Sequence, residues 1–230
     1  MDMSSAPESS APDGNWSHLA QFIRQHTHDL RNDLNGLDLQ AALLGDLVPR
    51  GEPAESVARI RAQIRQTGQN LRMLAAKFAD PQPTRAHYAA SELFLIWQDQ
   101  LAALHPAPVV EWRDTLGAGQ VEQLNVDAAM LAEVFRELLA NAQAFGGGAP
   151  LHAAARVEDG QIVFELREPK KDPLETASWG RAPFAAMRHG HYGLGLWEMQ
   201  RSITANGGEV QRRFAPDAME LTTALRFPLA

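Results

Sequence analysis

Cysteine is absent from the chain. That excludes disulfides and thiolate metal sites, and it fits a reducing compartment. No apolar run approaches the roughly 20 residues that cross a bilayer, so no membrane segment is expected. Positive charge is in deficit: 21 Lys and Arg stand against 28 Asp and Glu, a net charge of −7. A nucleic-acid surface needs clustered cations to meet the phosphates, so that class of partner is excluded too. The opening MDMSSAPESSAPDGN has neither the basic start nor the apolar stretch of a signal peptide. Its Ser, Pro and Ala content predicts a disordered tail over 1–15. The expectation is a cytoplasmic protein with no sensor segment of its own.

What is present is enough for a packed core: 45% hydrophobic residues over 230 positions, sufficient for one large or two small domains. From Trp16 onward, Ile23, Leu30, Leu34, Leu37, Ala41, Leu44 and Val48 recur in steps that predict one long amphipathic helix. His26 bridges the one wide step, and its spacing predicts a core histidine. Pro49-Arg50-Gly51-Glu52-Pro53 breaks the helix. Val57, Ile60, Ile64, Leu71, Leu74 and Phe78 then mark a second helix. Two long helices on a short loop form an antiparallel hairpin over 16–80. A lone hairpin leaves an apolar face uncovered, which a second copy would cover as a four-helix bundle.

Pro81 to Thr84 reads as a linker, and 85–230 mixes helices with strands. Ser91–Leu104 reads as helix and Val109–Thr115 as strand. Asp127 is a candidate N-cap for a helix to Phe145. Strands near Leu151–Val157 and Gln161–Arg167 flank the turn Glu158-Asp159-Gly160. A helix over Leu194–Ala205 closes on Asn206-Gly207-Gly208, and strands at Glu209–Phe214 and Met219–Phe227 follow. The fold class is α+β: a helical hairpin, then an α/β sandwich.

Three patterns carry chemistry. In the first helix, His28 falls off the apolar stripe and is expected to face solvent, where an imidazole can meet a bulky donor. Asp29 beside it can accept the other ring proton, or act as base. Asn32, one turn on, lies on the same face and can orient a water. In the helix after Asp127, Glu133, Glu137 and Asn141 are spaced by four. A carboxylate and an amide one turn apart supply the oxygen ligands that Mg²⁺ wants. Gly193-Leu194-Gly195-Leu196 opens a further helix. There glycines allow close backbone approach and the helix start offers unpaired N–H groups to phosphate. Taken singly, each pattern also suits an ordinary solvated helix face.

Taken together they resemble a family. His28-Asp29-Leu30-Arg31-Asn32-Asp33-Leu34-Asn35 looks like the H-box of dimerising sensor histidine kinases, departing at Asp33 where Pro is usual. Glu137-Leu138-Leu139-Ala140-Asn141-Ala142 resembles the N-box of Bergerat-type ATPases, and Gly193-Leu194-Gly195-Leu196 their second glycine box, with His191 in place of the leading glycine. Phe184 corresponds to the aromatic of the F-box. The first glycine box, Asp-x-Gly-x-Gly, departs furthest: Glu168 takes the place of the adenine-binding Asp, and Lys170 and Asp172 stand where the glycines would be.

The resemblance implies a dimerisation and histidine-phosphotransfer hairpin followed by a Bergerat-type ATPase domain. The implied activity is ATP-dependent autophosphorylation of His28, with Asp29 as base and Asn32 beside it. ATP and Mg²⁺ are held by Glu137, Asn141, Glu168, Gly193, Leu194 and Gly195, with Asn141 and Glu137 at the metal. The phosphoryl group passes to the aspartate of a response-regulator receiver domain, and the chain works as a homodimer. Lys170 and Lys171 either touch phosphates or are solvated. The altered first glycine box also suits a second reading: a histidine phosphotransfer protein or scaffold whose ATPase-like domain binds no nucleotide.

Overall fold

Two stretches that break every helical or strand period, around Pro49–Pro53 and Pro81–Thr84, set the layout. A computed structural model of the protein describes residues 13–48, 50–116, 122–183 and 194–230, with side chains from residue 19 onward. The chain divides into two units, Met1–Asp80 and Pro81–Ala230.

The first unit is the hairpin of α1 (Asp13–Leu47) and α2 (Glu52–Lys77). Helix α1 starts at Asp13, inside the stretch read as a tail. Gly51 stands before α2 with φ of 112°, a conformation open to glycine, and Pro53 sits in the first turn of α2, where a missing N–H costs nothing. The seam keeps part of the expected stripe, with Ile23, Leu34, Ala41, Ile64, Leu71 and Leu74 half-buried. Ala20 and Thr27 are buried in α1, and Val57, Gly68 and Phe78 in the second helix and its end. Glycines let the helices approach: Gly45 lies against Val57, and Gly68 against Leu34. Polar side chains tie the seam. Asp38 accepts from Arg61 at 2.9 Å and stands 3.7 Å from Arg65. The Arg61 hydrogen bond is the main reason the Asp38 carboxyl lies below its ordinary range. Arg24 donates to the Phe78 carbonyl at 2.8 Å.

Leu30, Leu37 and Leu44, predicted as seam, are instead 36% to 49% exposed, as is Ile60 at 48%. His26, predicted to be a core residue, is exposed and stacks on Phe22 at 5.7 Å. An apolar stripe wider than the contact with one neighbouring helix leaves its edge in water, and His26 lies on that edge while the next residue, Thr27, is buried.

The second unit is a five-stranded sheet with helices on one face, plus a two-stranded ribbon. In chain order come β1 (Ala86–Ala89), α3 (Ala90–Asp99) running into a 3-10 turn, β2 (Val110–Asp114), β3 (Gln123–Val126) and α4 (Ala128–Phe145). They are followed by β4 (Leu151–Glu158), β5 (Gln161–Pro169), α5 (Gly195–Ala205), β6 (Glu209–Ala215) and β7 (Glu220–Pro228). The sheet order is β2-β4-β5-β7-β6, parallel only at β2–β4. Strands β1 and β3 pair antiparallel, from Ala86 with Val126 to Ala89 with Gln123. Neither was expected from the sequence; at four residues each they are too short to show alternation. The β4–β5 turn holds Asp159 and Gly160 at φ of 52° and 73°, the doubly positive pair that a tight hairpin requires.

Alternation along β5 sends Ile162, Phe164, Leu166 and Glu168 toward the helices and leaves Glu165 and Arg167 on the helix-free face. The core centres on Trp97 of α3, which stacks on Phe135 of α4 at 5.0 Å and meets Phe94, Trp112 and Phe164 edge-on.

Helix α4 is fixed at its start by Asp127, as expected. Its carboxylate accepts from Met130 N at 3.0 Å and from Thr84 N at 2.8 Å. Its own N–H donates to the buried Asn206 side chain at 2.7 Å. The Met130 N–H, foremost among these contacts, holds the Asp127 carboxyl below its ordinary range. Replacing Asp127 with Ala is expected to cost about 1 kcal/mol, the usual worth of an N-cap. A lowered folded-state value means this stabilisation is present above the ordinary carboxylate range and is lost as pH falls through the lowered value. Urea unfolding at neutral pH and in acid should therefore show the gap between wild type and Asp127→Ala narrowing in acid. A gap that is constant or widens on acidification contradicts the cap.

Candidate functional sites in the two units

In the first unit, helical spacing gathers four polar side chains on an exposed face of α1. His28 Nδ1 lies 3.4 Å from Asp29 Oδ1 and 3.5 Å from Asn32 Nδ2, both at the outer limit of a hydrogen bond. Gln25 Nε2 donates to the same Asp29 oxygen at 3.1 Å. The structure thus brings His28, Asp29 and Asn32 together, all at Nδ1. Nε2 has no partner among the described residues. If Asp29 accepts the Nδ1 proton, the lone pair stands on Nε2, facing solvent on a side chain 55% exposed. Gln25 was not singled out in the sequence. Its place one turn before Asp29 is the signal that could have found it.

In the second unit, α4 carries a polar stripe at Glu133, Glu137 and Asn141, one turn before its last residue, Phe145. Asn141 Nδ2 donates to Glu137 Oε1 at 3.1 Å. Glu137 in turn packs on Gly195, the first residue of α5: a Cβ built on Gly195 would stand 2.0 Å from Glu137 Oε1. The glycine is there because a carboxylate occupies that space. A negative charge at a helix start is favoured by the unpaired N–H groups and the dipole. Leu194, at the N-cap, is buried, and its carbonyl accepts from Glu198 N at 2.8 Å. Glu133, on the same helix, is exposed and pairs with Arg136. Phe184, His191 and Gly193 lie outside the described residues.

One turn beyond Asn141, α4 ends at Phe145. Here β5 delivers Glu168, a carboxylate only 5% exposed and on the helix-facing side of the sheet. Lys170 Nζ lies 2.6 Å from Glu168 Oε2 and donates to the Phe145 carbonyl at 3.2 Å. Its own side chain is 6% exposed. Of the two places expected for Lys170, solvent or phosphate, it takes neither. The Pro169 backbone holds this corner, its carbonyl accepting from Gly147 N at 3.1 Å, and the Lys170 N–H donates to Met219 O at 2.7 Å. Burial pushes the Glu168 carboxyl above its ordinary range, against the opposing pull of the Lys170 hydrogen bond. Lys171 is exposed.

Among the described residues, no cluster of three or more His, Asp or Glu is placed to hold a metal. Glu137 and Asn141 fit Mg²⁺ in its usual manner, through one or two side-chain oxygens with the rest of the shell from phosphates and water. A cavity of about 890 Å³ opens elsewhere, on the helix-free face of the sheet. Several of its charges are paired: Glu165 with Arg156 at 2.8 Å and Arg167 at 2.7 Å, His152 with Glu111 at 3.1 Å. None of the residues singled out from the sequence lines it. Among the described residues, no helix is long and apolar enough to cross a membrane.

No protein-family model matches the sequence, and no curated protein does. Solved structures do. ShkA, solved full-length in complex with AMPPNP, superposes with a TM-score of 0.58 at 18% identity, over 91% of this chain and 46% of that one. The mycobacterial sensor histidine kinase MprB superposes with a TM-score of 0.52 at 13% identity, over 64% of this chain and 98% of that one. The chain thus spans less than half the length of ShkA. At such identities the likeness establishes the fold: an α+β chain whose helical hairpin and following sheet with helices are laid out as in these structures.

Proposed function

We propose that, on this histidine-kinase fold, the chain is a protein histidine kinase: His28 takes the γ-phosphoryl group of ATP and passes it to an aspartate of a response-regulator receiver domain. The observation that carries the reading is the α4 stripe, where Asn141 is bonded to Glu137 and Glu137 lies against the glycine that opens α5. The His28 cluster supports the acceptor assignment. The Nε2 lone pair attacks the γ-phosphorus, the bond to the β-phosphate oxygen breaks, and ADP leaves with that oxygen. The ring becomes cationic, and Asp29 receives the Nδ1 proton. Asn32 lies where its amide can hold a water against the phosphorylated ring. Mg²⁺, when bound, offsets phosphate charge, and Asn141 and Glu137 orient it. A second copy of the chain covers Leu30, Leu37, Leu44 and Ile60, completing a four-helix bundle.

One observation favours a second reading, a phosphotransfer protein that uses no nucleotide. Glu168, which the resemblance puts at the adenine-binding position, is already paired with Lys170. Labelling with γ-phosphate-labelled ATP separates the two. Wild type is expected to become labelled, and Asn141→Ala to lose at least about tenfold in Mg²⁺-dependent labelling, since even indirect partners of a bound metal are worth that much. Labelling from a phosphorylated receiver domain but never from ATP, in both proteins, selects the second reading.

A further inference from the structure

The α4 stripe has a length as well as a composition. From Glu137 to Phe145 is eight residues, about 12 Å at the helical rise. Gly195 and Glu137 mark one end, Asn141 lies between, and the Phe145 carbonyl marks the other with Glu168 and Lys170. If the first end takes phosphates and metal, the second end takes the base. That end is not an open acceptor. The Lys170 ammonium stands between a carboxylate oxygen and a helix-terminal carbonyl, held by both and buried at 6%. Carbonyls at a helix C-terminus favour a cation, so the position suits an ammonium.

We propose that Lys170 is a built-in occupant of the base-recognition end, standing where a nucleobase amino group would donate, so that a nucleotide binds only by displacing it. The inference rests on the nucleotide site placed along α4 in the function proposed above. Displacement is mechanically simple. Lys170 is the first residue beyond β5, on a long flexible side chain, whereas Glu168 is fixed within the strand pairing opposite Leu221. The lysine therefore sets the affinity and the carboxylate sets the base preference. The apparent affinity of such a site is reduced by the fraction of molecules in which it is free.

Titration calorimetry of the 230-residue wild-type chain, Lys170→Ala and the double variant Glu168→Gln/Lys170→Met, each with Mg²⁺-ATP, tests this. Lys170→Ala is expected to bind at least about tenfold tighter than wild type, as follows when a competent state populated at a tenth or less becomes the major one. The double variant removes both buried charges together. It checks folding by circular dichroism and is expected to bind more weakly than Lys170→Ala, because the carboxylate is gone. Equal, measurable binding by wild type and Lys170→Ala overturns the occupant and leaves the kinase reading standing. No binding by either, with Lys170→Ala folded, overturns both. Should Lys170→Ala unfold, Lys170→Gln takes its place with the same tighter binding expected, since a neutral amide leaves more readily, and unchanged affinity in that variant overturns the proposal.

Discussion

His28→Gln is expected to leave no acid-labile phosphoryl label on the chain, whatever the donor. Glutamine matches the polarity and approximate reach of histidine but has no nucleophilic ring nitrogen, so the phosphorus–nitrogen bond cannot form. The fold should not notice. His28 is exposed, and its contacts at 3.4 Å and 3.5 Å are marginal; a surface substitution of this kind stays within about 0.5 kcal/mol. His26→Gln is the matched control. It lies two residues away, is exposed on the same helix and loses only the stack on Phe22. Phosphoamino-acid analysis of the two variants after incubation with ATP, or with a phosphorylated receiver domain, gives a direct answer. Label that survives in His28→Gln and disappears in His26→Gln means the wrong histidine was chosen.

Trp97→Ala should be among the most destabilising single changes in the second unit, about 3–5 kcal/mol. Against a typical domain stability of about 5–15 kcal/mol, that is a large share of the whole. Trp97 is 0% exposed and contacts Phe94, Trp112, Phe135 and Phe164, which come from α3, β2, α4 and β5. No one neighbour can move to fill the space, since each belongs to a different element. Its Nε1 has no hydrogen-bond partner among the described residues. Trp97→Phe therefore removes an unpaired buried donor along with the smaller part of the volume, and should cost much less than Trp97→Ala. Urea denaturation followed by circular dichroism ranks the three. A Trp97→Ala protein within about 1 kcal/mol of wild type would mean that the aromatic cluster is not the centre of this core.

How far sequence reasoning reaches differs between the units. In the second, strong local signals coincide with the elements found: the Asp127 cap and α4, the Asp159-Gly160 turn, the glycine at the end of α5. Each depends on something only a few residue types supply, a side-chain acceptor at the Asp127 cap or a positive φ at the turn and at Gly207. The ribbon of β1 and β3 escaped notice because its pairing is long-range and its strands are four residues long. In the first unit both helices are plain in the periodicity, but their rotation only in part. Val57 and Phe78 are buried and Ile23, Leu34, Ile64, Leu71 and Leu74 half-buried, as the stripe predicts, while Leu30, Leu37, Leu44 and Ile60 are exposed and Thr27 and Gly68 take buried places that ranking by hydrophobicity passes over. The candidate residues fared according to range. His28, Asp29 and Asn32 meet because they share one helical turn. Glu137 and Asn141 meet for the same reason. The Glu168–Lys170 pair was invisible, because a lysine two positions from a carboxylate reads as solvated until the burial of the strand end is known.

The outward leucines bear on how the first unit stays folded. Leu30, Leu37, Leu44 and Ile60 remain partly in water when α1 packs on α2, so the hairpin by itself leaves apolar surface uncovered. If the second copy proposed above covers them, the unit gains stability from association, and by mass action its folded population follows the number of chains present. Synthesis level, rather than sequence alone, then decides how much of the protein carries a structured His28 face at any moment.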